Sequence, residues 1–224
     1  MIVSEQKKIE EVLKLTEGKD KVFIIGCGDC ATACRSGGLE DIPAFAEQLQ
    51  RQGKNVLGWI VPTQACMLQK TRLELKSVSS LINDSDVVIT LSCGAGAQTI
   101  IELLNDRLVI SGTNTLFLAM TKRAGEFVQL CSMCGDCVLE VTGGICPQSR
   151  CAKSLMNGPC SGSVDGKCET YRERDCAWHE IYQRLKKLGK LEKFQIRLPM
   201  KDYSRLRNQA EVKVQPIKIK KEGR

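Results

Sequence analysis

Thirteen cysteines are the feature that most constrains how this chain of 224 residues can fold. The first residues mix charged with apolar side chains, unlike a secretory signal, and no apolar run approaches the ~18 residues that a membrane helix needs. Cysteines in a chain without a signal are typical of a reducing compartment, where thiols bind metals or take part in redox chemistry instead of forming disulfides. We therefore expect a cytoplasmic protein with no membrane partner.

The cysteines form two groups, and charge marks a third region. Residues 1–126 carry five cysteines and otherwise resemble an ordinary domain. Residues 127–183 carry eight cysteines, many glycines and few large hydrophobic residues, so metal coordination would have to supply folding energy there. Residues 184–224 hold 14 of the 33 Lys and Arg residues but only 4 of the 26 Asp and Glu residues. We interpret this last region as the end of a helix over residues 177–190, stopped at Gly189, followed by a basic tail.

Residues 1–126 alternate buried-strand patterns with helical patterns. Strands that alternate with helices pair in parallel through right-handed crossovers. The sequence therefore predicts an α/β fold, a three-layer domain of the flavodoxin-like or Rossmann-like kind. The predicted helices cover residues 7–15, 42–51, 68–81 and 97–104, and the predicted strands cover 21–25, 55–61, 86–91 and 107–110.

Each cysteine of the first group follows a predicted strand. Cys27, Cys30 and Cys34 follow the first strand, Cys66 the second and Cys93 the third. The carboxyl ends of parallel strands meet at one edge of a sheet, so these five thiols should converge. Thiolates without histidine favour an iron–sulfur cluster or a cysteine-only zinc site. Because a 4Fe–4S cluster takes four ligands, one of the five would lie outside the ligand set.

Three other interpretations of the first group stay open. The thiols could be redox-active without a metal, they could be structural, or the site could bind a dinucleotide or flavin. The last is weak, because Gly26-Cys27-Gly28 lacks the rest of the G-x-G-x-x-G motif. We see no acid–base pair and no nucleophile with a base, so no catalytic residue is assigned.

The second group begins with a C-x2-C-x2-C run, Cys131, Cys134 and Cys137, and continues with Cys146-Pro147. Bacterial ferredoxins use this spacing to hold a cluster, whereas zinc more often uses two separated C-x2-C pairs. Zinc remains the alternative metal for this segment. Four further cysteines suffice for another metal site, and spacing leaves open which four belong together: Cys151, Cys160, Cys168 and Cys176.

The basic tail has two interpretations, a solvated helix and arm or a surface for an acidic partner. It has few aromatic residues and no motif that reads bases. We therefore expect no nucleic-acid partner.

Three short motifs resemble those of the methylenetetrahydrofolate reductase C-terminal-type domain family of bacteria and archaea. They are Asn157-Gly-Pro-Cys-Ser-Gly162, Gly166-Lys-Cys-Glu169 and Cys176-Ala-Trp-His-Glu-Ile-Tyr182. Ser161 stands where the family usually has glycine, and we expect little effect from it. Upstream, the segment from Gly26 to Gly38 is similar to the N-terminal part of the same proteins.

The resemblance implies a non-catalytic iron–sulfur subunit for electron transfer. Free-standing small chains of this family accompany a MetF-like flavoprotein catalytic subunit, which carries FMN and reduces methylenetetrahydrofolate in the Wood–Ljungdahl pathway. The low aromatic content, 4%, agrees with a flavin on the partner instead of on this chain. The resemblance thus implies 4Fe–4S clusters, two in number by our reading of the cysteines, and a further electron-donating module. The alternative is a zinc-stabilised docking subunit without a redox role.

Overall fold

The computed structural model describes residues 1–205 and divides the chain into two compact units. The first is Met1–Ser132 and the second begins at Met133. Most of the predicted basic tail, residues 206–224, lies outside the described residues. No helix in residues 1–205 is long and apolar enough to cross a membrane.

The first unit is built of alternating strands and helices. A short 3-10 turn, Lys76–Val78, separates its fourth and fifth helices. In chain order the elements are β1 (Ile2–Gln6), α1 (Ile9–Leu15), β2 (Lys21–Ile25), α2 (Cys30–Ala33), α3 (Ile42–Arg51), β3 (Asn55–Ile60), α4 (Leu68–Leu75), α5 (Ser79–Asp84), β4 (Val87–Thr90), α6 (Gly94–Leu103), β5 (Val109–Ser111), β6 (Thr113–Leu118), β7 (Met120–Arg123) and β8 (Glu126–Val128).

Four of these strands form a parallel sheet in the order β3-β2-β4-β5. The prediction of an α/β fold with a parallel sheet is therefore confirmed. The order places the first strand of the sheet between the second and the third, as in flavodoxin-like folds. Successive strands are added on one side of β2 and then on the other, and a ligand crevice opens at the carboxyl ends of the strands where the strand order reverses in this way.

The sheet is buried on both faces, which explains its near-continuous apolar strands. On one face, Val22 and Ile24 pack with Phe45 of α3 and Val12 of α1. On the other face, the alternate residues of the same strands pack against α4, α5 and α6, through side chains that include Phe23, Ile25, Leu75, Ile82 and Ile100. Each fully buried side chain of this size contributes about 1.5–3 kcal/mol. The predicted three layers are thus present in this unit.

The structure differs from the sequence prediction in several places, and helix α2 and strands β6, β7 and β8 are among the elements that were not predicted. The helix predicted over 68–81 is broken at the 3-10 turn Lys76–Val78. Helix α6 begins at Gly94, three residues earlier than predicted, because Gly94 and Gly96 have a low helix propensity and hide its first turn in the sequence. Strand β1 was not predicted, and it pairs antiparallel with β6 outside the main sheet. Strands β7 and β8 form a further antiparallel pair.

Up to residue 205, the second unit contains two α-helices, α7 (Pro147–Arg150) and α8 (Ala177–Lys187), and two short 3-10 turns, Leu191–Gln195 and Tyr203–Arg205. Its cluster of buried side chains is Trp178, Ile181 and Leu185, all on α8, against which Phe194 packs. Helix α8 begins at the predicted residue, Ala177, and ends at Lys187, just before Gly189, the residue predicted to stop it. Gly189 takes a positive φ of 63°, and the Lys190 N–H donates to Leu185 O at 2.9 Å.

Candidate functional site

The first group of cysteines lies at the carboxyl edge of the parallel sheet, where the sequence placed it. Cys27 and Cys30 follow β2, Cys66 follows β3, and Cys93 directly precedes α6 after β4. Cys27 and Cys93 are buried, at 5% and 7% exposure, whereas Cys66 is exposed. The set therefore reaches from the interior of the first unit to its surface.

The thiols of this group lie close enough to influence one another's ionisation. Burial raises the pKa of the Cys66 thiol, and the charges of Cys93, Cys27 and Cys30 raise it further. Burial also raises the pKa of Cys34, with additional contributions from Cys30 and Cys93. All five cysteines are thus linked by mutual repulsion of their thiolate forms, which a bound cationic centre would relieve.

Direct backbone contacts hold the loops of this edge together. The N–H of Gly26 donates to Ile60 O at 2.8 Å, and the N–H of Cys27 donates to Gly37 O at 2.9 Å. A Cβ on Gly26 would lie 2.3 Å from Gly37 O, and one on Gly37 would lie 1.9 Å from Leu91 O. Glycine is required at both positions because a side chain would separate the loops that carry the cysteines.

Helix α6 places its N-terminus at the same edge. Cys93 occupies the residue before the first helical turn, with extended backbone angles. The Gly94 N–H donates to Thr115 Oγ1 at 2.7 Å, so β6 helps to hold the start of the helix. The partial positive charge at a helix N-terminus favours an anion beside it. A thiolate or an anionic cluster at Cys93 would gain from this placement.

Strand β1 supplies hydrogen bonds to the site, and sequence reasoning missed it. The Ile2 N–H lies 3.5 Å from Cys30 Sγ, and Cys34 Sγ lies 3.7 Å from Ile2 O. A backbone hydrogen bond from Ser4 to the Cys34 thiol lowers the pKa of that thiol and opposes the effect of burial. Strand β1 has two apolar residues followed by three polar ones, and this pattern is a weak signal for a strand. Only its pairing with the distant strand β6 identifies it.

In the second unit, four cysteines line one cavity. They are Cys151, Cys160, Cys168 and Cys176, the four whose grouping the sequence left open. Trp178 completes the wall, and its indole N–H donates to Leu155 O at 2.9 Å.

The other four cysteines of the second group are placed differently. Cys131 is an exposed residue of the first unit. Cys137 is exposed in the second unit, and Cys134 is half-buried there. Cys146 precedes α7 as its capping residue.

Backbone groups point at the sulfur of Cys168. Hydrogen bonds from the N–H of Tyr171 and of Thr170 lower the pKa of this thiol, and the nearby Lys153 ammonium lowers it further. These contacts stabilise the thiolate form that metals bind. Within residues 1–205, no three His, Cys, Asp or Glu side chains surround a point where a single metal ion would sit.

Comparison with known proteins gives one match. Residues 110–204 match the family described as "Methylene-tetrahydrofolate reductase C terminal". This range includes all eight cysteines of the second group and the three motifs that carry the resemblance. No curated protein and no solved structure matches the chain. A relation to methylene-tetrahydrofolate reductases is therefore supported over this range.

Proposed function

We propose that this chain is an iron–sulfur electron-transfer and scaffold subunit, of the MetV type, of a methylenetetrahydrofolate reductase complex. It would pass electrons to an FMN-bearing, MetF-like catalytic partner in one-carbon metabolism. The observation that carries the proposal is the convergence of five cysteines at the ligand-binding edge of a flavodoxin-like sheet. The family match over residues 110–204 supports the part of the proposal that names a methylenetetrahydrofolate reductase complex.

The residues at this edge fit a cluster by their chemistry. The donor set consists of thiols, which iron–sulfur clusters take as ligands. The start of α6 favours negative charge, and Ile2 donates an N–H towards Cys30 Sγ, as expected around cluster-ligating sulfurs. When bound, a cluster supplies one-electron transfer.

The chain's own residues would hold and insulate that centre. Buried Cys27 and Cys93 would anchor it on the sheet side, where the fully buried Leu91 and Ala65 exclude water. Exposed Cys66, followed by Met67 at 51% exposure, brings the set to the surface of the unit. A partner flavin docked on this side would approach the centre without an intervening layer of protein.

The C-x2-C-x2-C run is the part of the second group that we assign to a further cluster. Cys131, Cys134 and Cys137 would supply three ligands and Cys146 the fourth, by analogy with ferredoxin spacing. Met133 and Gly135, between these cysteines, take positive φ angles of 54° and 76°. Backbone in which right-handed and left-handed residues alternate can point successive N–H groups towards one anion.

The proposal is tested on full-length protein purified without oxygen. We expect iron and acid-labile sulfide, with about four of each lost together when a ligand of the first site is removed. Cys93→Ser should remove that centre, and Cys137→Ser is the matched control that should leave its spectrum in place. Of the five single Cys→Ser variants at the sheet edge, four should lose the centre and one should retain it.

A second measurement tests the direction of electron flow. The reduced protein, mixed with a flavoprotein catalytic subunit, should reduce its FMN, and the Cys93→Ser variant should not. Zinc without sulfide in the wild-type chain would overturn the proposal and favour the zinc-stabilised docking subunit.

A further inference from the structure

We propose that Cys151, Cys160, Cys168 and Cys176 form one metal centre with four thiolate ligands, separate from every other cysteine of the chain. The centre would take a thiophilic metal, either a zinc ion or an iron–sulfur cluster, and would hold the second unit together. The inference rests on the proposed function only in its premise that this chain binds metal through thiolates. It does not depend on electron transfer.

The first argument is the shared cavity. The four cysteines come from well-separated places: the end of α7, the loop that follows it, and the two ends of the segment 169–175. All four nevertheless line one cavity, and Cys134, Cys137 and Cys146 do not. Cysteine spacing alone allowed many groupings, and the cavity selects one of them.

The second argument is how firmly the backbone holds two of the ligands. Cys168 and Cys176 sit on opposite arms of a short antiparallel segment, with bridges from Lys167 to Val164 and to Asp175. The Cys176 N–H donates to Gly166 O at 2.7 Å, and the Cys168 N–H donates to Arg174 O at 2.9 Å. Hydrogen bonds within the unit therefore fix the backbone positions of both cysteines.

The third argument is charge. Four thiolates around a divalent ion or a 2+ cluster carry a net charge of about −2, which needs compensation in a cavity. Arg150 and Lys153 line the cavity, each held by a carboxylate: Arg150 by Glu180 at 2.7 Å and Lys153 by Glu169. Backbone N–H groups of Thr170 and Tyr171 point at Cys168. These groups would surround an anionic centre with donors and cations.

The fourth argument is what the unit lacks without a metal. Its buried hydrophobic side chains, among those described, are Pro147 on α7 and four residues of α8: Ala177, Trp178, Ile181 and Leu185. Cys151 and Cys176 pack against this cluster. A centre that joins them to Cys160 and Cys168 would tie three loop segments to the only extended helix described there, which a core of this size cannot do alone.

The test uses the full-length chain carrying Trp59→Phe, so that Trp178, in the cavity wall, becomes its single tryptophan. Cys151→Ser, Cys160→Ser, Cys168→Ser and Cys176→Ser are made singly. Cys137→Ser, which removes a ligand proposed for the other cluster, is the control for the quenching of Trp178, because Cys137 does not line this cavity. Zinc, iron and sulfide per chain are measured together with acrylamide quenching of Trp178. We expect each of the four variants to lose the same amount of the same metal, and the double variant Cys151→Ser/Cys168→Ser to lose no more. Quenching of Trp178 should rise in all four and stay unchanged in the control.

Cysteine alkylation of the wild-type protein tests the same inference without variants, in case one of them fails to fold. The chain is alkylated before and after its metal is removed, and each cysteine is followed by mass spectrometry. Cys151, Cys160, Cys168 and Cys176 should be protected together and become reactive at one common rate. Loss of zinc identifies a zinc ion, and loss of iron with sulfide identifies a cluster; either supports the four-thiolate centre.

Three results would overturn the inference. They are additive metal loss in the double variant, an equal rise in Trp178 quenching in Cys137→Ser, and full reactivity of any of the four thiols in the metal-loaded protein. None of these bears on the proposed function, because the sheet-edge centre is tested separately through Cys93→Ser. A loaded sheet edge with an unprotected second set would therefore leave electron transfer standing and remove only this inference.

Discussion

The backbone N–H of Ile2 points at the sulfur of Cys30, with 3.5 Å between the two atoms. Two residues further along β1, the backbone of Ser4 makes a hydrogen bond to the Cys34 thiol. Alternate residues of an edge strand present their N–H groups to the same side, so β1 meets both cysteines with its free edge. Hydrogen bonds to ligand sulfurs raise the reduction potential of a cluster.

If the proposed cluster is bound at the sheet edge, Ser4→Pro should lower its reduction potential, because proline has no N–H to donate. Ser4→Ala is the control, since it keeps the N–H and removes only the hydroxyl that bonds Ser36 Oγ at 2.9 Å. The measurement is a redox titration followed by the visible absorption of the cluster. Equal potentials in the two variants would show that the Ser4 N–H does not tune the site.

Buried strands and amphipathic helices could be predicted closely from the sequence. Strand β2 (Lys21–Ile25) and helix α3 (Ile42–Arg51) have the predicted bounds, because an apolar run and a helical stripe each allow one burial pattern. Strand β1 was missed because its residues are mixed in polarity and its partner β6 lies more than 100 residues away. Strand pairing of that kind is set by tertiary context and not by local sequence.

The same contrast holds for the cysteines. Those of the first group could be expected to converge, because parallel strands bring their carboxyl ends to one edge whatever the intervening sequence. Those of the second group lie mostly in loops, where no periodicity fixes position. That Cys151 and Cys168 line the same cavity could not be deduced from their spacing and is evident only from the folded chain.

Gly37→Ala should destabilise the first unit by about 3 kcal/mol, the upper part of the range for overpacking. The added methyl group would lie 1.9 Å from Leu91 O, and backbone cannot move aside as a flexible side chain can. Gly94→Ala is the control, because its methyl group would meet only Thr115 Oγ1, at 3.4 Å. Urea denaturation followed by Trp59 fluorescence, in chains that carry Trp178→Phe, measures both, and similar midpoints would contradict the close contact between these loops.

Gly162→Ala should perturb the cavity of the second unit. The added Cβ would lie 1.1 Å from Glu169 Oε2, so the carboxylate that holds Lys153 has to move. Ser161→Gly, one residue earlier, serves as the contrast. Ser161 takes a φ of 66°, so glycine relieves about 1 kcal/mol of strain, but greater freedom in the unfolded chain offsets about 0.5–1 kcal/mol of that.

We therefore expect Ser161→Gly to change the free energy of unfolding by less than about 1 kcal/mol. Gly162→Ala should lower both stability and metal content. Metal analysis and thermal unfolding of the two variants test this, and a Gly162→Ala protein with full metal content would show that Glu169 and Lys153 are not needed around the cavity.

Asp86 should make the first unit less stable in acid. Its carboxylate accepts hydrogen bonds from the backbone N–H of Lys21 at 2.9 Å and of Asp20 at 3.1 Å, and these bonds lower its pKa. A carboxyl whose pKa is lower in the folded than in the unfolded chain stabilises the fold above its unfolded value, about 3.9. That contribution is lost as the pH falls through the lower, folded-state pKa.

Asp86→Asn should therefore unfold at a lower urea concentration than wild type at pH 7, and the two midpoints should approach each other below about pH 4. Asp84→Asn, which removes a carboxylate two residues earlier in the chain, is the control and should not reproduce this convergence. Trp59 on β3 reports the unfolding, since β3 pairs with β2, the strand that Asp86 holds at Lys21. A midpoint difference between Asp86→Asn and wild type that stays constant from pH 7 to pH 3 would show that the two backbone bonds do not depend on the charge of Asp86.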